Sequence, residues 1–224
     1  MRRRPRSSAA SSALRPRRSS VDSGAAAGHS LAPAVIVLAS ASPRRKQILD
    51  GLGIEVEVRS APDEPVPEEG EGARAYALRA ARHKTSAVAM QLPGEPWVLG
   101  ADTVVALDRT IFGKPTDDDD ARRMLETLSG RVHVVTTGFC IFHGPTEVHS
   151  QTVTTRVVFE KLRPDQIERY VQSGEGRDKA GSYALQGRAM ALVRAIDGSY
   201  SNVIGLPAAE VVAALENVGA VPAP

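Results

Sequence analysis

Apolar residues recur along the chain at two different spacings, one typical of strands and the other typical of helices. The pattern predicts strands at 35–39, 54–59, 97–107, 131–143, 147–159 and 189–196. It predicts helices from Pro43 to about Gly51, over 73–91, from a Thr116 cap to Leu128, over 164–173 and over 207–218. Helices and strands alternate, and a hairpin at His143-Gly144-Pro145 adds antiparallel pairing. We therefore expect an α/β fold with a mixed sheet.

The predicted strand from Trp97 to Leu107 carries a carboxylate among mostly apolar residues. Asp102 lies in Gly100-Ala101-Asp102-Thr103, which we expect to interrupt the strand from Trp97 to Leu107. Burying a carboxylate costs free energy unless the group is paired or ligated. A metal ligand or a base that activates water would explain the placement. Backbone amides at a bulge would satisfy it without a function, and we favour the functional interpretation.

The first strand leads into a helix start that is rich in anion-binding groups. Ser40, Ser42, Arg44 and Arg45 supply two hydroxyls and two guanidiniums around the capping Ser42-Pro43 pair. A helix N-terminus favours an anion, and arginine pairs bidentately with phosphate. Taken alone, this short string favours an ordinary N-cap with two solvated arginines.

Two lysines are further candidates for anion binding. Lys84 shares a helical face with Ala77, Ala81 and Val88, and Lys114 sits in a Gly-Lys-Pro turn before a helix cap. Lining a cleft, either lysine would meet phosphate. Taken alone, each favours a solvated surface charge, since lysine stems readily carry the ammonium to solvent.

Several familiar catalytic arrangements are missing from the sequence. It contains no GxxxxGK[ST] phosphate loop, no GxSxG nucleophile elbow and no HExxH zinc motif. We assign the Asp117–Asp120 run to the first turn of a helix, where acids complement the helix dipole, and Cys140 to the core. A single cysteine excludes an internal disulfide, and no apolar run reaches the roughly 18 residues of a membrane helix.

Composition separates a basic extension from a mildly acidic body. Residues 1–33 hold seven arginines and one aspartate, are rich in Ser and Ala, and show no apolar period. Such a segment buries too little apolar surface to fold, so we expect a disordered extension with no role in the chemistry, followed by one domain over 34–220. The alternatives are a transit peptide, a nucleic-acid-binding arm and an artefact of an upstream start codon. Secretion is not expected.

The strings of the body together resemble the Maf family of nucleoside triphosphate pyrophosphatases. The resemblance covers nearly all of residues 35–218 and rests on LASASPRRKQIL (38–49), LGADTVVALD (99–108), the segment 113–138, DKAGSYALQG (178–187) and DGSYSNVIGLP (197–207). It implies a two-lobed fold like that of inosine triphosphate pyrophosphatases, with the site in a central cleft. It also implies hydrolysis of a nucleoside triphosphate to the monophosphate and pyrophosphate, with a divalent cation, Mg²⁺ or Mn²⁺, as cofactor.

The resemblance also implies roles for single residues. Asp102 would activate water or hold the metal, and Glu64 would be a second acidic residue in either of these two roles. Lys84 and Lys114 would neutralise the triphosphate. Gln186 would help to read the base. Phosphate would be held by Ser40, Ser42, Arg44 and Arg45.

Within the family, Thr103 after Asp102 and the intact DKAGSYALQG string resemble the branch that acts on dTTP and UTP. The alternatives are a 7-methyl-GTP pyrophosphatase and a non-catalytic regulator of septum formation that binds protein or nucleic acid. We expect a cytoplasmic protein with no membrane partner and no main surface for nucleic acid. The resemblance further suggests a homodimer.

Overall fold

A mixed sheet runs through the chain in the computed structural model, which describes residues 35–61 and 65–222. The strand order is β2-β1-β3-β5-β6-β7, with β4 paired to β3. The first strand lies parallel to its two neighbours, and the other pairs are antiparallel. The strands are β1 Ile36–Ala39, β2 Val56–Arg59, β3 Trp97–Leu107, β4 Thr110–Phe112, β5 Val132–His143, β6 Thr146–Phe159 and β7 Val193–Asp197.

Helices cover the sheet and confirm the expected mixed α/β class. They are α1 Pro43–Gly51, α2 Ala73–Ala89, α3 Asp118–Leu128, α4 Pro164–Gln172, α5 Tyr200–Ile204 and α6 Ala208–Asn217. The apolar face of α3 is buried at all four of its positions, Ala121, Met124, Leu125 and Leu128. One core cluster packs α3 and α4 against β5 and β6. A second packs α1 and α6 against β1 and β3.

The structure corrects three local predictions and adds two elements that were not predicted. The strand from Trp97 to Leu107 is continuous through Asp102, so the expected interruption is wrong. Asp117, not Thr116, caps α3, because its side chain accepts the Asp120 backbone N–H at 2.8 Å. β4 and α5 were not predicted, and β7 begins after a 3-10 turn over 188–191. The extension over 1–33 lies outside the described residues.

Two glycines let α2 lie close to the sheet. A Cβ atom on Gly138 of β5 would stand 2.6 Å from the backbone of Ala77, and one on Gly100 of β3 would stand 1.8 Å from Thr85 Oγ1. Both distances are far below van der Waals contact. At Gly138 the neighbour is helix backbone, so any larger residue there would push the helix away. The close approach brings Lys84, on the same face of α2, down to β3.

One edge of β3 is left open between two short neighbours. β1 pairs with β3 over Trp97–Leu99, and β4 pairs with the same edge over Val105–Leu107. Along this edge, the described chain offers no strand partner to residues 100–104. Ligands of α/β proteins commonly bind beyond the carboxyl ends of parallel strands, and this opening lies just past the end of β1.

Candidate active site

A cleft of about 1020 Å³ opens at this break in the sheet edge. The β1–α1 loop, α2, β3, the β4–α3 loop and the segment 175–186 all contribute to its walls. The structure therefore brings together residues that are far apart in the sequence. Nine of the ten predicted site residues line it: Ser40, Ser42, Arg44, Arg45, Lys84, Asp102, Thr103, Lys114 and Gln186. The tenth, Glu64, lies outside the described residues.

The centre of the cleft holds a buried ion pair. Lys84 Nζ donates to Asp102 Oδ1 at 2.5 Å, and the two side chains are only 8% and 4% exposed. Lys84 is therefore not the solvated surface charge that its local pattern favours, and Asp102 is paired with an ammonium in a regular strand. A buried pair of this kind contributes little net stability, since desolvation offsets the attraction. Its place in a cleft makes it a candidate for chemistry.

Arg45 is fixed by acceptors from three parts of the chain. Its Nε donates to the Gly205 carbonyl at 2.8 Å, and its two terminal nitrogens donate to Ser40 Oγ at 2.9 Å and Thr103 Oγ1 at 3.2 Å. These contacts hold the guanidinium in one orientation at the wall of the cleft. Ser40 Oγ also accepts the Ser42 backbone N–H at 3.2 Å, which ties the loop to the same group.

Asp102 and Thr103 use opposite faces of the sheet, as neighbours in a strand must. Asp102 faces α2 through Lys84, whereas Thr103 faces Arg45. Thr103 Oγ1 also lies 2.9 Å from Thr137 Oγ1 and 3.3 Å from the Gly205 carbonyl. The open edge of β3 thus presents a carboxylate on one side and a hydroxyl on the other.

Arg44 lines the cleft near Asp178, in the segment 175–187. Burial lowers the pKa of its guanidinium, while the nearby Asp178 carboxylate raises it. Tyr170 is close by, and burial raises the pKa of its hydroxyl to about 12. That hydroxyl accepts the Ala184 backbone N–H at 3.0 Å and so helps to hold the segment in place.

The structure adds cleft residues that were not assigned a role from sequence. Glu175, Lys179 and Tyr183 line the cleft, and Gly205 supplies the carbonyl that fixes Arg45. The polar, glycine-rich composition of 175–187 was a usable signal for the first three. Nothing local marks Gly205, because its role depends on a contact across 160 positions of sequence.

The charges of the cleft suit an anion with several negative charges. Five cationic side chains and three carboxylates line it. The cations are Arg44, Arg45, Lys84, Lys114 and Lys179, and the carboxylates are Asp102, Glu175 and Asp178. Phosphoryl transfer needs little covalent help from the protein, since positioning and charge stabilisation do most of the work. The arrangement can hold a polyphosphate and place a carboxylate beside it.

Residues set aside in the sequence lie where a structural role explains them. Asp118, Asp119 and Asp120 pair with Arg177, Arg122 and Arg123, respectively. Cys140 is buried in the core, and burial raises the pKa of its thiol to about 12. Within 35–61 and 65–222, no helix is both long and apolar enough to cross a membrane.

Comparison with known proteins identifies a family. A family model described as "Maf-like protein" matches residues 35–218. A protein of Geobacter sulfurreducens named dTTP/UTP pyrophosphatase is 47% identical over 188 residues, which cover 83% of this chain and 97% of the relative. A protein of Myxococcus xanthus with the same name is 47% identical over 187 residues, covering 83% and 93% of the two chains.

Solved structures give weaker likenesses. A HAM1 protein from Coxiella burnetii has a TM-score of 0.39 at 17% identity and covers 58% of this chain and 74% of its own. A nucleoside-triphosphatase / dITP/XTP pyrophosphatase from Mycobacterium abscessus has a TM-score of 0.34 at 18% identity, covering 57% and 74%. Neither likeness bears on the chemistry of the cleft.

Proposed function

Because the chain belongs to the Maf family, we propose that it hydrolyses dTTP and UTP to the nucleoside monophosphate and pyrophosphate. The observation that carries this proposal is the buried Lys84–Asp102 pair in the same cleft as the Ser40–Arg45 loop. The pair offers a carboxylate to water, and the loop offers donors to phosphate.

Triphosphate binding is assigned to the β1–α1 loop and to the lysines. The hydroxyls of Ser40 and Ser42 and the guanidinium of Arg44 lie at one wall, and Lys114 lies in the turn before α3. Arg45 completes the wall with its fixed guanidinium. Cations at these points stabilise the charge that grows on the departing pyrophosphate as the bond between the α and β phosphorus atoms breaks.

Water activation is assigned to Asp102, with Glu64 as the alternative base. The Asp102 carboxylate would orient a water molecule against the α-phosphorus and accept its proton as the new P–O bond forms. The Lys84 ammonium lies 2.5 Å from this carboxylate. That charge holds the carboxylate in place and offsets the negative charge of the nearby phosphate.

The donor set of the cleft fits a divalent cation that is shared with substrate. Mg²⁺ is usually held by one or two carboxylates together with substrate phosphates. Within the described residues, no group of three metal-ligating side chains occurs, but Asp102 supplies one buried carboxylate beside the phosphate wall. We assign the cation to Asp102, with Glu64 as the second ligand. When bound, the cation would neutralise part of the negative charge on the phosphates.

We assign the nucleobase of the substrate to the end of the cleft at Gln186. This side chain is exposed in the lining of the cleft, and its amide offers both a donor and an acceptor. Uracil and thymine present the same alternation of carbonyl oxygens and an N–H. An amide at this point can therefore accept from the ring N–H and donate to a carbonyl.

A panel of triphosphates tests the proposal. Full-length protein with Mg²⁺ or Mn²⁺ is given each canonical ribo- and deoxyribonucleoside triphosphate and 7-methyl-GTP, and released pyrophosphate is measured. We expect the highest kcat/KM for dTTP and UTP. Preference for 7-methyl-GTP would assign the chain to the alternative substrate class. Absence of turnover on every compound would contradict the enzyme proposal and favour a regulator of septum formation.

The remaining proposals concern the whole protein. We propose that residues 1–33 take no part in the chemistry, so a chain beginning at residue 34 should keep the kcat/KM of the full-length protein. We also propose a cytoplasmic homodimer. Sedimentation equilibrium would give twice the chain mass of 23.8 kDa for a dimer, and a value near one chain mass would contradict it.

A further inference from the structure

Glu175 is a carboxylate that phosphate binding does not explain. It lines the cleft between α4 and the 3-10 turn over Ala180–Ser182. A negative charge there does not help to hold a triphosphate. Its two oxygens instead accept the backbone N–H of Arg188, at 2.9 and 3.1 Å. Hydrogen bonds to an ionised acceptor are about twice as strong as neutral ones.

The carboxylate also shapes the residue before Arg188. Gly187 has φ +128°, a conformation that L side chains rarely adopt, and a Cβ atom on it would stand 2.0 Å from Glu175 Oε1. The backbone of Gly187 therefore passes directly against the carboxylate. Gln186 comes one residue earlier, so Glu175 holds the backbone directly after Gln186.

Glu175 is itself held firmly. Its backbone N–H donates to Ser173 Oγ at 3.3 Å, and that hydroxyl donates to the Tyr170 carbonyl at 2.6 Å. A Cβ atom on the next residue, Gly176, would stand 2.2 Å from the Ser182 carbonyl oxygen, so the segment after Glu175 is packed against the turn that carries Ser182. Glu175 thus links the end of α4 to the turn that contains Gln186.

We propose that Glu175 is a positioning residue that sets nucleobase selectivity by holding the Gln186 turn. The inference rests on the proposed function, in which Gln186 contacts the base. A glutamine side chain on a mobile turn would lose its fixed relation to the ring N–H and carbonyl. The chemical step at Asp102 would stay unchanged. Loss of Glu175 should therefore raise KM for pyrimidine triphosphates and lower selectivity without a matching loss of kcat.

Four variants of the full-length protein separate this role from a general structural one. Glu175→Ala removes the acceptor, whereas Glu175→Gln keeps a side-chain oxygen for the Arg188 N–H. Arg188→Pro removes the N–H at the first position of a helical turn, where proline is tolerated, and Arg188→Ala keeps it. Each variant is measured for kcat, KM, the ratio of kcat/KM for UTP over GTP, and melting temperature.

We expect Glu175→Ala and Arg188→Pro to lower the UTP-over-GTP ratio about tenfold, the effect of losing one charge-assisted hydrogen bond. Arg188→Ala should stay within about twofold of the wild type, since it keeps the contact. Glu175→Gln should lower the ratio by about threefold, because a neutral acceptor keeps about half of the hydrogen-bond strength. In a Gln186→Ala background, Glu175→Ala should produce no further change, because coupled residues are non-additive.

Three results would overturn the inference: an unchanged ratio in Glu175→Ala, an equal loss in Arg188→Ala and Arg188→Pro, or additive losses in the double variant. Failure of the proposed function is distinguishable, because it appears as absence of wild-type turnover on UTP in the same assay. A ratio that falls only together with kcat and melting temperature would also count against positioning and indicate a structural role.

Discussion

At the scale of single residues, Arg45 shows why the guanidinium group is needed at the cleft wall. It reaches Gly205, Ser40 and Thr103 with three nitrogens of one planar group. A lysine has one nitrogen and cannot bridge all three acceptors. Arg45 therefore connects the β1–α1 loop, β3 and the end of α5, in addition to adding positive charge.

Arg45→Lys should lower kcat/KM for dTTP about 10- to 100-fold, because at least one hydrogen bond from a charged donor is lost and the loop carrying Ser40 loosens. Steady-state kinetics measures the loss. The exposed Arg59, which pairs with Glu57 at the surface, provides the matched control, and Arg59→Lys should leave kcat/KM unchanged. Equal kinetics in Arg45→Lys and the wild type would contradict the proposed role of the Arg45 guanidinium in bridging the three acceptors.

His133 is a buried polar residue behind the cleft wall. It is 1% exposed, and its Nε2 lies 2.8 Å from the hydroxyl of Tyr183, which lines the cleft. Burial lowers the pKa of the imidazole from 6.5 to about 4. His133 is therefore neutral in the folded protein at neutral pH, while the unfolded chain binds a proton near pH 6.5.

This difference predicts an acid-sensitive stability. Between pH 6.5 and 4 the unfolded state binds more protons at this site than the folded state, so the free energy of unfolding falls as pH falls. Its contribution reaches about 3 kcal/mol near pH 4. Denaturant unfolding across this range should show the loss, and His133→Gln should reduce the slope. An identical slope in the variant would contradict the assignment.

The sequence indicates individual site residues better than it indicates their partners. The Ser40–Arg45 string and Asp102 stand out because hydroxyls, guanidiniums and a carboxylate occur at a helix start and in an apolar strand. Lys84 stands out only weakly, since its spacing fits a surface lysine. Its contact with Asp102 depends on how closely α2 approaches β3, and no local pattern gives that distance.

At the scale of elements, the approach of α2 to the sheet decides whether this contact exists. Gly138 lies opposite Asp102 in the β3–β5 register. An added methyl group there would meet the backbone of Ala77, which cannot rotate away as a side chain could. The helix would have to move as a unit, and it carries Lys84.

Gly138→Ala should therefore lower stability by about 1–3 kcal/mol, the usual cost of overpacking, and lower kcat by displacing Lys84 from Asp102. Gly51, at the end of α1, is the matched control because an added Cβ meets nothing within 4 Å. Gly51→Ala should leave kcat unchanged and stability equal or slightly higher. Thermal unfolding and turnover measured on both variants check the contrast. Normal stability and kcat in Gly138→Ala would contradict it.

Most helices and strands were predictable from the apolar pattern, but two short elements were not. Four apolar positions at helical spacing identified α3, and segments rich in strand-forming residues identified β3, β5 and β6. β4 has three residues and α5 has five, too few for either period to register. The break at the edge of β3 that opens the cleft follows from strand pairing, which sequence periodicity does not give.

At the scale of the whole molecule, the charges on the surface and the charges in the cleft are arranged differently. The described body pairs many of its surface charges with each other, as in Arg79–Glu71 and Arg82–Glu147. The cleft instead gathers more cations than carboxylates. A metal ion shared between Asp102 and the phosphates would complete the neutralisation of the triphosphate.

Removal of divalent cations tests this proposal. Treatment with EDTA should lower turnover of dTTP by at least about 100-fold, since charge neutralisation by a metal is worth several kcal/mol. Added Mg²⁺ or Mn²⁺ should restore turnover, while the melting temperature without substrate stays the same. Undiminished turnover in EDTA would contradict the assignment of a cation to this cleft.

The most direct test of the account compares the products of the wild type and Asp102→Asn, an isosteric change that removes the base and the negative charge. With Mg²⁺ present, the wild type should convert dTTP to dTMP and pyrophosphate in equal amounts. Asp102→Asn should be slower by about 10²–10⁴-fold, with circular dichroism showing a folded protein. Release of dTDP and orthophosphate by the wild type, or equal rates in the two proteins, would contradict the account.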